Sequence, residues 1–330
     1  MTPDLATAVR LGPEALPSAW LGRAFGLDVE SNVEITSLGP PSGSALARSV
    51  RLEILPARSL RGEFPRHSSL LSEISRAPRR PMMRVERDET GYFIWAPRHG
   101  RHLVSPDGRW VRSSVTSSPE RRWERLLLAQ PLPLAAVLQG LELFHASAVL
   151  MKPGIVAFVA SSGTGKTSLA AHLVGGGAPL VTDDILAVEP APGGIVAYAG
   201  GTVLHLADAE HAAMAPDARS RLQFLDRRSD KLQAVARGSS EPGRLAAIYF
   251  LERSTDFGQL EVVELRPPPA KLLLSSAFLA YLALPDRMLR QVELCARLAE
   301  SVPAFEARIP ADFGAARLAE AVSAHVEREL

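Results

Sequence analysis

The residues best suited to chemistry lie in one short stretch near the middle of the chain. Residues 160–167 read Ala-Ser-Ser-Gly-Thr-Gly-Lys-Thr, between an apolar run at 154–159 and a helical run at 168–174. A strand, a glycine-bearing turn and a helix start form the setting of a phosphate-binding loop, whose backbone N–H groups surround a polyphosphate. The partial positive charge of the helix N-terminus strengthens that binding. The stretch therefore predicts a site for a nucleoside triphosphate.

Each residue type in this loop has a predicted role. Lys166 would reach the β- and γ-phosphates, and the hydroxyl of Thr167 would hold Mg²⁺. Ala160 replaces the first glycine of the strict pattern, and we expect strain there if the backbone needs a positive φ. The residues expected to contact the nucleotide are Ala160, Ser161, Ser162, Gly163, Thr164, Gly165, Lys166, Thr167 and Ser168.

A second signal follows the loop at 180–184, where Leu-Val-Thr-Asp-Asp reads as an apolar strand ending in two carboxylates. A strand, loop, helix and strand form a βαβ-like unit, which brings this acidic end close to the loop. Adjacent side chains on a strand point to opposite faces. One carboxylate can therefore hold Mg²⁺ while the other, at the strand's end, takes the proton of a substrate hydroxyl. An ordinary Asp-Asp turn is the alternative.

The absence of several known motifs narrows the class of nucleotide-dependent enzyme. It has no Asn-Lys-x-Asp segment for reading guanine and no Leu-Ser-Gly-Gly-Gln segment of a transporter-type ATPase. An ATP-hydrolysing motor usually carries Glu after its metal-binding Asp, whereas the second acid here is Asp184. Elimination favours phosphoryl transfer to an organic hydroxyl.

A third element is His145, in the segment Leu-Phe-His-Ala-Ser-Ala-Val at 143–149. Judged alone, it is more often a satisfied buried histidine than a functional one. Together, His-Ala-Ser-Ala-Val, the loop ending Gly-Lys-Thr and Leu-Val-Thr-Asp-Asp resemble the HPr serine kinase/phosphorylase catalytic domain, a relative of phosphoenolpyruvate carboxykinases. The match covers about residues 140–190. The resemblance implies an active site of His145, Lys166, Thr167, Asp183 and Asp184, with Thr167 and Asp183 on the metal and Asp184 as the base that deprotonates an acceptor serine.

Outside that segment, the chain better resembles the HPr-kinase-like proteins found beside peptide-modification genes, including lasso-peptide kinases. These combine a β-rich N-terminal region with a His-Ala-Ser-Ala-type strand and a degenerate C-terminal half. The family's second glycine-rich signature is not found downstream, and Glu210 is a candidate for its metal-binding acid by position only. The resemblance implies an ATP- and Mg²⁺-dependent kinase acting on a serine hydroxyl of a peptide or small protein, and it does not extend to HPr as the substrate.

A basic stretch at 219–231 could supply cations that cover the phosphates and neutralise the transition state. Arg228 and Lys231 are the candidates for contacting the nucleotide, and Lys231 is preferred because the resembling proteins often carry a basic residue there. A solvated loop face is the alternative. Arg253, at the end of a predicted strand, is a weaker candidate whose alternative is a surface salt bridge.

The length of the chain predicts two domains. Its hydrophobic pattern predicts the α/β fold class, with α+β character overall. Residues 1–117 read as a smaller β-rich domain for substrate recognition, with an irregular or helical start and an antiparallel sheet of five to seven strands. Residues 118–330 read as a P-loop kinase domain of the HPr-kinase and phosphoenolpyruvate-carboxykinase type. Within it, we expect a strand at 179–188 and C-terminal helices at 268–283, 286–300 and 311–329.

Composition excludes several classes of protein. Hydrophobic residues make up 46% and charged residues 22%, as in a globular chain. A net charge of +1 argues against a nucleic-acid binder that relies on bulk charge. The one cysteine, Cys295, forms no intramolecular disulfide, and its apolar helical setting favours a buried structural role. No stretch reads as a signal peptide or membrane span, so we expect a cytoplasmic protein with no membrane partner.

Two other functions stay open from the sequence. A kinase for a small hydroxyl compound, such as free serine or a sugar, would use the same residues. A nucleotide-binding scaffold with little turnover is consistent with alanine in place of the first loop glycine. The patterns leave the acceptor, phosphorylase activity and homo-oligomer formation undetermined.

Overall fold

The computed structural model describes residues 19–41, 43, 45–64, 67–77, 80–97, 99–115, 122–228, 231–236 and 238–330, without the side chains of 76, 77, 80, 122, 224–228 and 231. This part of the chain is a mixed α/β structure made mostly of strands, which form three sheets. None of its helices combines the length and the apolar character needed to cross a bilayer.

The first sheet contains eight strands. Their bounds are β1 Trp20–Ala24, β2 Leu27–Ser31, β3 Ser49–Leu55, β4 Ser69–Ala77, β5 Arg80–Arg87, β6 Tyr92–Ala96, β7 Gly100–Val104 and β8 Trp110–Ser114. Their order is β1-β2-β3-β8-β7-β6-β5-β4. Alternate residues of β3 are buried, because its period-two pattern places one set of side chains on the covered face.

The expected antiparallel sheet of five to seven strands is wrong in its strand number, which is eight, and in its strand directions. Strand β3 runs parallel to both β2 and β8, so the sheet is mixed and not purely antiparallel. From residue 20 the chain forms strands and not the expected helical or irregular segment, and residues 1–18 of that segment lie outside the described residues. The segments 88–91 and 106–109 join antiparallel neighbours, β5 to β6 and β7 to β8.

Helices α1 (Arg122–Ala129) and α2 (Pro131–Leu138) pack on this sheet. Leu52 of β3 and Trp123 of α1 belong to one hydrophobic cluster, which also takes in Leu143 and Ile185 from the next sheet. The buried core therefore crosses residue 117. Division of the chain at that residue stays a prediction.

The second sheet carries the chemistry-bearing segments. Its strands are β9 Glu142–Met151, β10 Gly154–Val159, β11 Leu180–Thr182, β12 Ile185–Ala191, β13 Gly194–Tyr198, β17 Gly243–Ser254, β18 Glu261–Glu264 and β19 Ala304–Pro310. Their order is β10-β9-β12-β13-β17-β19-β18, with β11 beside β9 and a further pairing between β10 and β17.

Both faces of this sheet are covered, which explains its near-continuous apolar strands. Helix α3 (Lys166–Gly175) and helix α8 (Ala315–Glu329) pack on one face, where Phe158 of β10 and Val322 share a cluster. Helix α7 (Pro285–Ser301) packs on the other, where Ala157 and Leu298 share a cluster. Adjacent residues of β10 therefore pack against helices on opposite faces of the sheet.

A third, small sheet holds the basic stretch. Strands β14 (Val203–Ala207), β16 (Lys231–Ala236) and β15 (Leu222–Arg228) lie in that order, with short helices α4 (Asp208–Ala213) and α5 (Pro216–Arg219) between β14 and β15. Within the basic stretch, residues 222–228 and 231 belong to paired strands and not to a loop, while residues 229 and 230 lie outside the described part of the chain.

Two of the three predicted C-terminal helices are confirmed, as α7 (Pro285–Ser301) and α8 (Ala315–Glu329), whereas the first differs. Helix α6 (Ala270–Ser275) ends well before 283, and Leu279 has a positive φ of 53°, which no helix continues through. Strand β19 lies between α7 and α8 and pairs in parallel with β17. The alternating apolar residues at 305, 307 and 309 are the local signal for this strand.

A buried arginine joins α7 to the second sheet. Arg287 is 1% exposed, and its Nε donates to Glu142 Oε2 of β9 at 3.1 Å. Its two Nη atoms donate to the carbonyls of Phe278 and Leu279, each at 2.6 Å. Burial raises the pKa of Glu142, and the charge of Arg287 opposes that rise. This one side chain pairs with a buried carboxylate and with two carbonyls of a non-helical backbone turn.

We expect Arg287→Met to lower the free energy of unfolding by about 3–5 kcal/mol, because Glu142 and two carbonyls would lose their buried donor. Urea unfolding followed by circular dichroism measures the loss. Arg297→Ala, on the exposed face of the same helix, is the control and should change stability by less than about 0.5 kcal/mol. Equal stability of the two variants would contradict this role for Arg287.

Candidate functional site

The loop between β10 and α3 has the backbone that a phosphate-binding turn needs. Gly163 and Gly165 have φ values of +85° and +110°, which side-chain-bearing residues rarely adopt. The residues other than glycine with positive φ in the described part of the chain are Phe25, Arg58 and Leu279. Ala160 is not among them. The strain expected at Ala160 is therefore absent, because the loop does not require a left-handed residue at that position.

Lys166 begins α3 and turns back into the loop. Its Nζ donates to the carbonyl of Ala160 at 2.5 Å, and the residue is 7% exposed. Burial lowers the pKa of Lys166, while the charges of Asp184 and Asp183 act in the opposite direction. The ammonium group is thus held inside the curve of the loop, with carbonyl oxygen and two carboxylates as its electrostatic surroundings.

The Asp pair reaches the same edge of the sheet through β9. Strand β9 is antiparallel to β10, with Ala146 opposite Val159, and antiparallel to β11, with Ala148 opposite Thr182. Strands β10 and β11 therefore run in the same direction, and both end beside the loop. The expected single strand at 179–188 is two strands, β11 and β12, and the Asp pair is the break between them.

Asp183 points into the protein and is 4% exposed. Its carboxylate accepts a hydrogen bond from the backbone N–H of His205 at 3.2 Å and from the side chain of Thr167, and Ser147 Oγ lies 3.4 Å from Oδ1. Burial and the neighbouring charge of Asp184 raise the pKa of Asp183 to about 6, against the pull of these three donors. A buried carboxylate bonded to the first hydroxyl of α3 is an oxygen pair suited to a hard cation.

Asp184 points the other way, with 66% of its side chain exposed. The ring Nδ1 of His145 lies 3.1 Å from the carbonyl oxygen of Asp184 and 3.9 Å from its Oδ1. The backbone N–H of His145 donates to Ser276, and its ring stacks against Phe278 with 6.5 Å between centroids. His145 is thereby held next to an accessible carboxylate.

The structure adds residues that sequence reasoning missed. Ser147 lies two positions after His145 on β9, so period-two spacing alone could have placed it on the same face. His205 comes from β14, in another sheet, and no local signal pointed to it. Arg253, predicted only weakly, donates from Nε to the loop carbonyl of Thr164 at 3.3 Å and from Nη1 to Phe313 at 2.8 Å. It ties the loop to the turn before α8.

Glu210, a further candidate, is not brought to this site. Glu210 of α4 pairs with His172 of α3, with 2.8 Å between Oε1 and Nε2, more than a helical turn beyond Lys166. The side chains of Arg228 and Lys231 lie outside the described part of the structure. Their backbones face each other where the β15–β16 hairpin turns.

No protein-family model matches the chain, and no curated protein matches it. Among solved structures, the chain is similar to the Hpr(Ser) kinase/phosphatase from Coxiella burnetii, with 9% sequence identity and a TM-score of 0.31. The similarity covers 56% of this chain and 93% of that one. This is a weak structural likeness. It assigns no activity, and the site is judged by its own geometry.

The donor set fits a nucleotide-bound cation better than a free metal centre. Within the described ranges, no group of three or more His, Cys, Asp or Glu side chains could enclose an ion. Thr167 and Asp183 nevertheless offer two oxygen ligands in hydrogen-bond contact. Mg²⁺ is commonly bound through one or two carboxylates and completed by substrate phosphates and water. These residues therefore suit Mg²⁺ that arrives with a polyphosphate.

The pKa of Asp183 predicts a pH-dependent stability. A folded-state pKa of about 6, above the ordinary 3.8, means that the folded protein binds this proton more tightly than the unfolded chain. Its stabilising contribution is complete below pH 3.8 and is lost as the pH rises through 6. In EDTA, the wild type should lose about 1–3 kcal/mol of unfolding free energy between pH 4 and pH 7 relative to Asp183→Asn.

Urea unfolding at several pH values measures this difference, with Asp256→Asn, a change at an exposed residue, as the matched control. Parallel stability curves for the wild type and Asp183→Asn would show that Asp183 titrates alike in the folded and unfolded chain.

Proposed function

We propose that the chain is an ATP- and Mg²⁺-dependent kinase that transfers the γ-phosphoryl group to a serine-type hydroxyl on a peptide or small protein. The observation that carries the proposal is a single sheet edge where a glycine turn holding Lys166 lies beside one buried and one exposed carboxylate. Phosphoryl transfer needs a phosphate cradle, a cation site and a group that accepts the hydroxyl proton. That edge supports all three.

The nucleotide would lie across residues 160–168, with its phosphates on loop N–H groups and on the N-terminus of α3. Lys166 would exchange the carbonyl of Ala160 for a phosphate oxygen, because a charged acceptor binds an ammonium group more strongly than a neutral carbonyl does. Partial burial strengthens that pairing, since water screens it less.

Thr167 and Asp183 would hold Mg²⁺, which would neutralise the charge of the phosphates. A pKa of about 6 leaves the Asp183 carboxylate mostly ionised at neutral pH, as a metal ligand must be. Ser147 and the backbone of His205 fix the orientation of this carboxylate from behind.

Asp184 would accept the proton of the acceptor hydroxyl, because its carboxylate is exposed at the edge where the γ-phosphate would lie. His145 would position it through the contacts of its ring Nδ1 with the carbonyl and carboxylate of Asp184. Residues 118–330 would form a catalytic domain of the HPr-kinase type, and the β-rich region up to 117 would recognise the peptide.

The scaffold alternative has less support than it had from sequence. Its basis was alanine at position 160, and Ala160 has no positive φ. Turnover assays distinguish the proposed peptide kinase from a small-molecule kinase and from a scaffold. ADP released only with serine-containing peptides supports the proposal, ADP released with free serine or a sugar supports the small-molecule kinase, and nucleotide binding without turnover supports the scaffold.

We expect Lys166→Met to reduce turnover by about 10²–10³-fold and to weaken ATP binding, because the cation that would pair with the phosphates is removed. Lys152→Met, in the exposed turn between β9 and β10, is the matched control and should keep wild-type values. Isothermal titration with ATP and an ADP-release assay give both quantities. Wild-type binding and turnover in Lys166→Met would overturn the nucleotide assignment.

Asp184→Asn separates the role of the base from nucleotide binding. We expect turnover to fall by about 10²–10⁴-fold while the affinity for ATP stays within about twofold, because a general base acts on the acceptor. The carboxamide keeps the size of the side chain and removes its basicity. An equal loss of ATP affinity would place Asp184 on the nucleotide or its cation instead.

A further inference from the structure

His205 stands at the candidate cation site although it belongs to a different sheet. Its backbone N–H donates to Asp183 Oδ2 at 3.2 Å, and its ring Nδ1 lies 3.9 Å from the same oxygen. The side chain is 22% exposed and that of Asp183 is 4% exposed. An imidazole nitrogen thus lies beside the buried carboxylate that is hydrogen-bonded to Thr167.

The distance between His205 Nδ1 and Asp183 Oδ2 suits two ligands of one cation. At 3.9 Å, Nδ1 and Oδ2 are too far apart for a direct hydrogen bond. Two atoms bonded at about 2.1 Å to one ion are about 3.0 Å apart at right angles and at most about 4.2 Å apart. The observed distance lies inside that range.

The other ring nitrogen has a partner of the kind that metal-binding histidines use. His205 Nε2 lies 3.1 Å from the side-chain amide nitrogen of Gln233, on the neighbouring strand β16. A side-chain amide offers both a donor and an acceptor, so Gln233 can support either imidazole tautomer. With its oxygen turned to Nε2–H, it would leave the Nδ1 lone pair directed at Asp183. Such outer partners orient the ring and set its basicity.

We propose that His205 is a further ligand of the cation held by Thr167 and Asp183, and that it makes the site prefer a transition-metal ion such as Mn²⁺ to Mg²⁺. Imidazole nitrogen favours the later divalent ions, whereas Mg²⁺ favours an all-oxygen shell. The inference rests on the proposed function, because nucleotide phosphates complete the shell. It changes the preferred cation and leaves the roles of Lys166 and Asp184 as they are.

The alternative is an ion pair between a protonated His205 and Asp183 with no metal role. The two differ in what a bound ion touches. Electron spin-echo envelope modulation of Mn²⁺ bound with ADP detects a directly coordinated imidazole nitrogen. We expect nitrogen modulation in the wild type and its loss in His205→Gln. The control His67→Gln, which changes an exposed histidine just before β4, should retain it.

Competition between Mn²⁺ and Mg²⁺ in the presence of ADP measures which ion the site prefers. The electron paramagnetic resonance signal of free Mn²⁺ reports the outcome. The preference for Mn²⁺ over Mg²⁺ should fall about tenfold or more in His205→Gln, the usual effect of losing a group that holds a metal site together. His205→Glu should shift the preference further toward Mg²⁺, because it restores an oxygen ligand.

The outcomes separate this inference from the proposed function. Mn²⁺ and ADP that bind the wild type without nitrogen modulation, or an unchanged selectivity in His205→Gln, would overturn the role of His205 alone. Failure of Mn²⁺ and ADP to bind the wild type at all would overturn the proposed function and this inference with it. The wild-type spectrum needs no variant, so a folding defect in His205→Gln cannot obscure the result.

Discussion

The phosphate loop and the Asp pair meet because β9 lies between the strands that carry them. Its backbone pairs with β10 on one side and with β11 and β12 on the other, so β10 and β11 run in parallel and end together. The same strand carries His145 and Ser147, which contact Asp184 and Asp183. Because side chains alternate along a strand, spacing of two residues keeps both on one face. A one-residue slip of β9 would reverse that face and separate every contact in the site.

The register of β9 gives Asp183 and Asp184, two identical neighbours in the chain, different surroundings. Asp183 is enclosed by β9, β14 and α3, whereas the side chain of Asp184 reaches solvent. Burial and the adjacent charge raise the pKa of Asp183 to about 6, while three donors keep the ionised form accessible. The proposed cation site and proton acceptor need these different environments, which two adjacent carboxylates on opposite faces would supply.

Two arginines hold the surroundings of the site in place from a distance. Arg287 joins Glu142, at the start of β9, to the carbonyl of Phe278, whose ring stacks on His145. Arg253 joins the loop carbonyl of Thr164 to the turn that precedes α8. Guanidinium groups suit this task because their planar donors can satisfy several acceptors at once. The active edge is therefore coupled to both helical layers of the second sheet.

From the sequence alone, the loop at 160–167, the Asp pair and His145 could be proposed as a site, because their residue types and spacing lie in short segments. The sequence also indicated most of the strands between 49 and 115, where alternation and turn residues act over a few positions. The sequence did not predict the features that depend on contacts between distant segments. Strand β19 forms because β17 offers a parallel partner, β3 pairs in parallel with neighbours remote in sequence, and His205 reaches Asp183 from another sheet. Local periodicity determines which residues can share a face. Only tertiary packing determines which faces meet, because burial energy depends on partners that no short window of sequence contains.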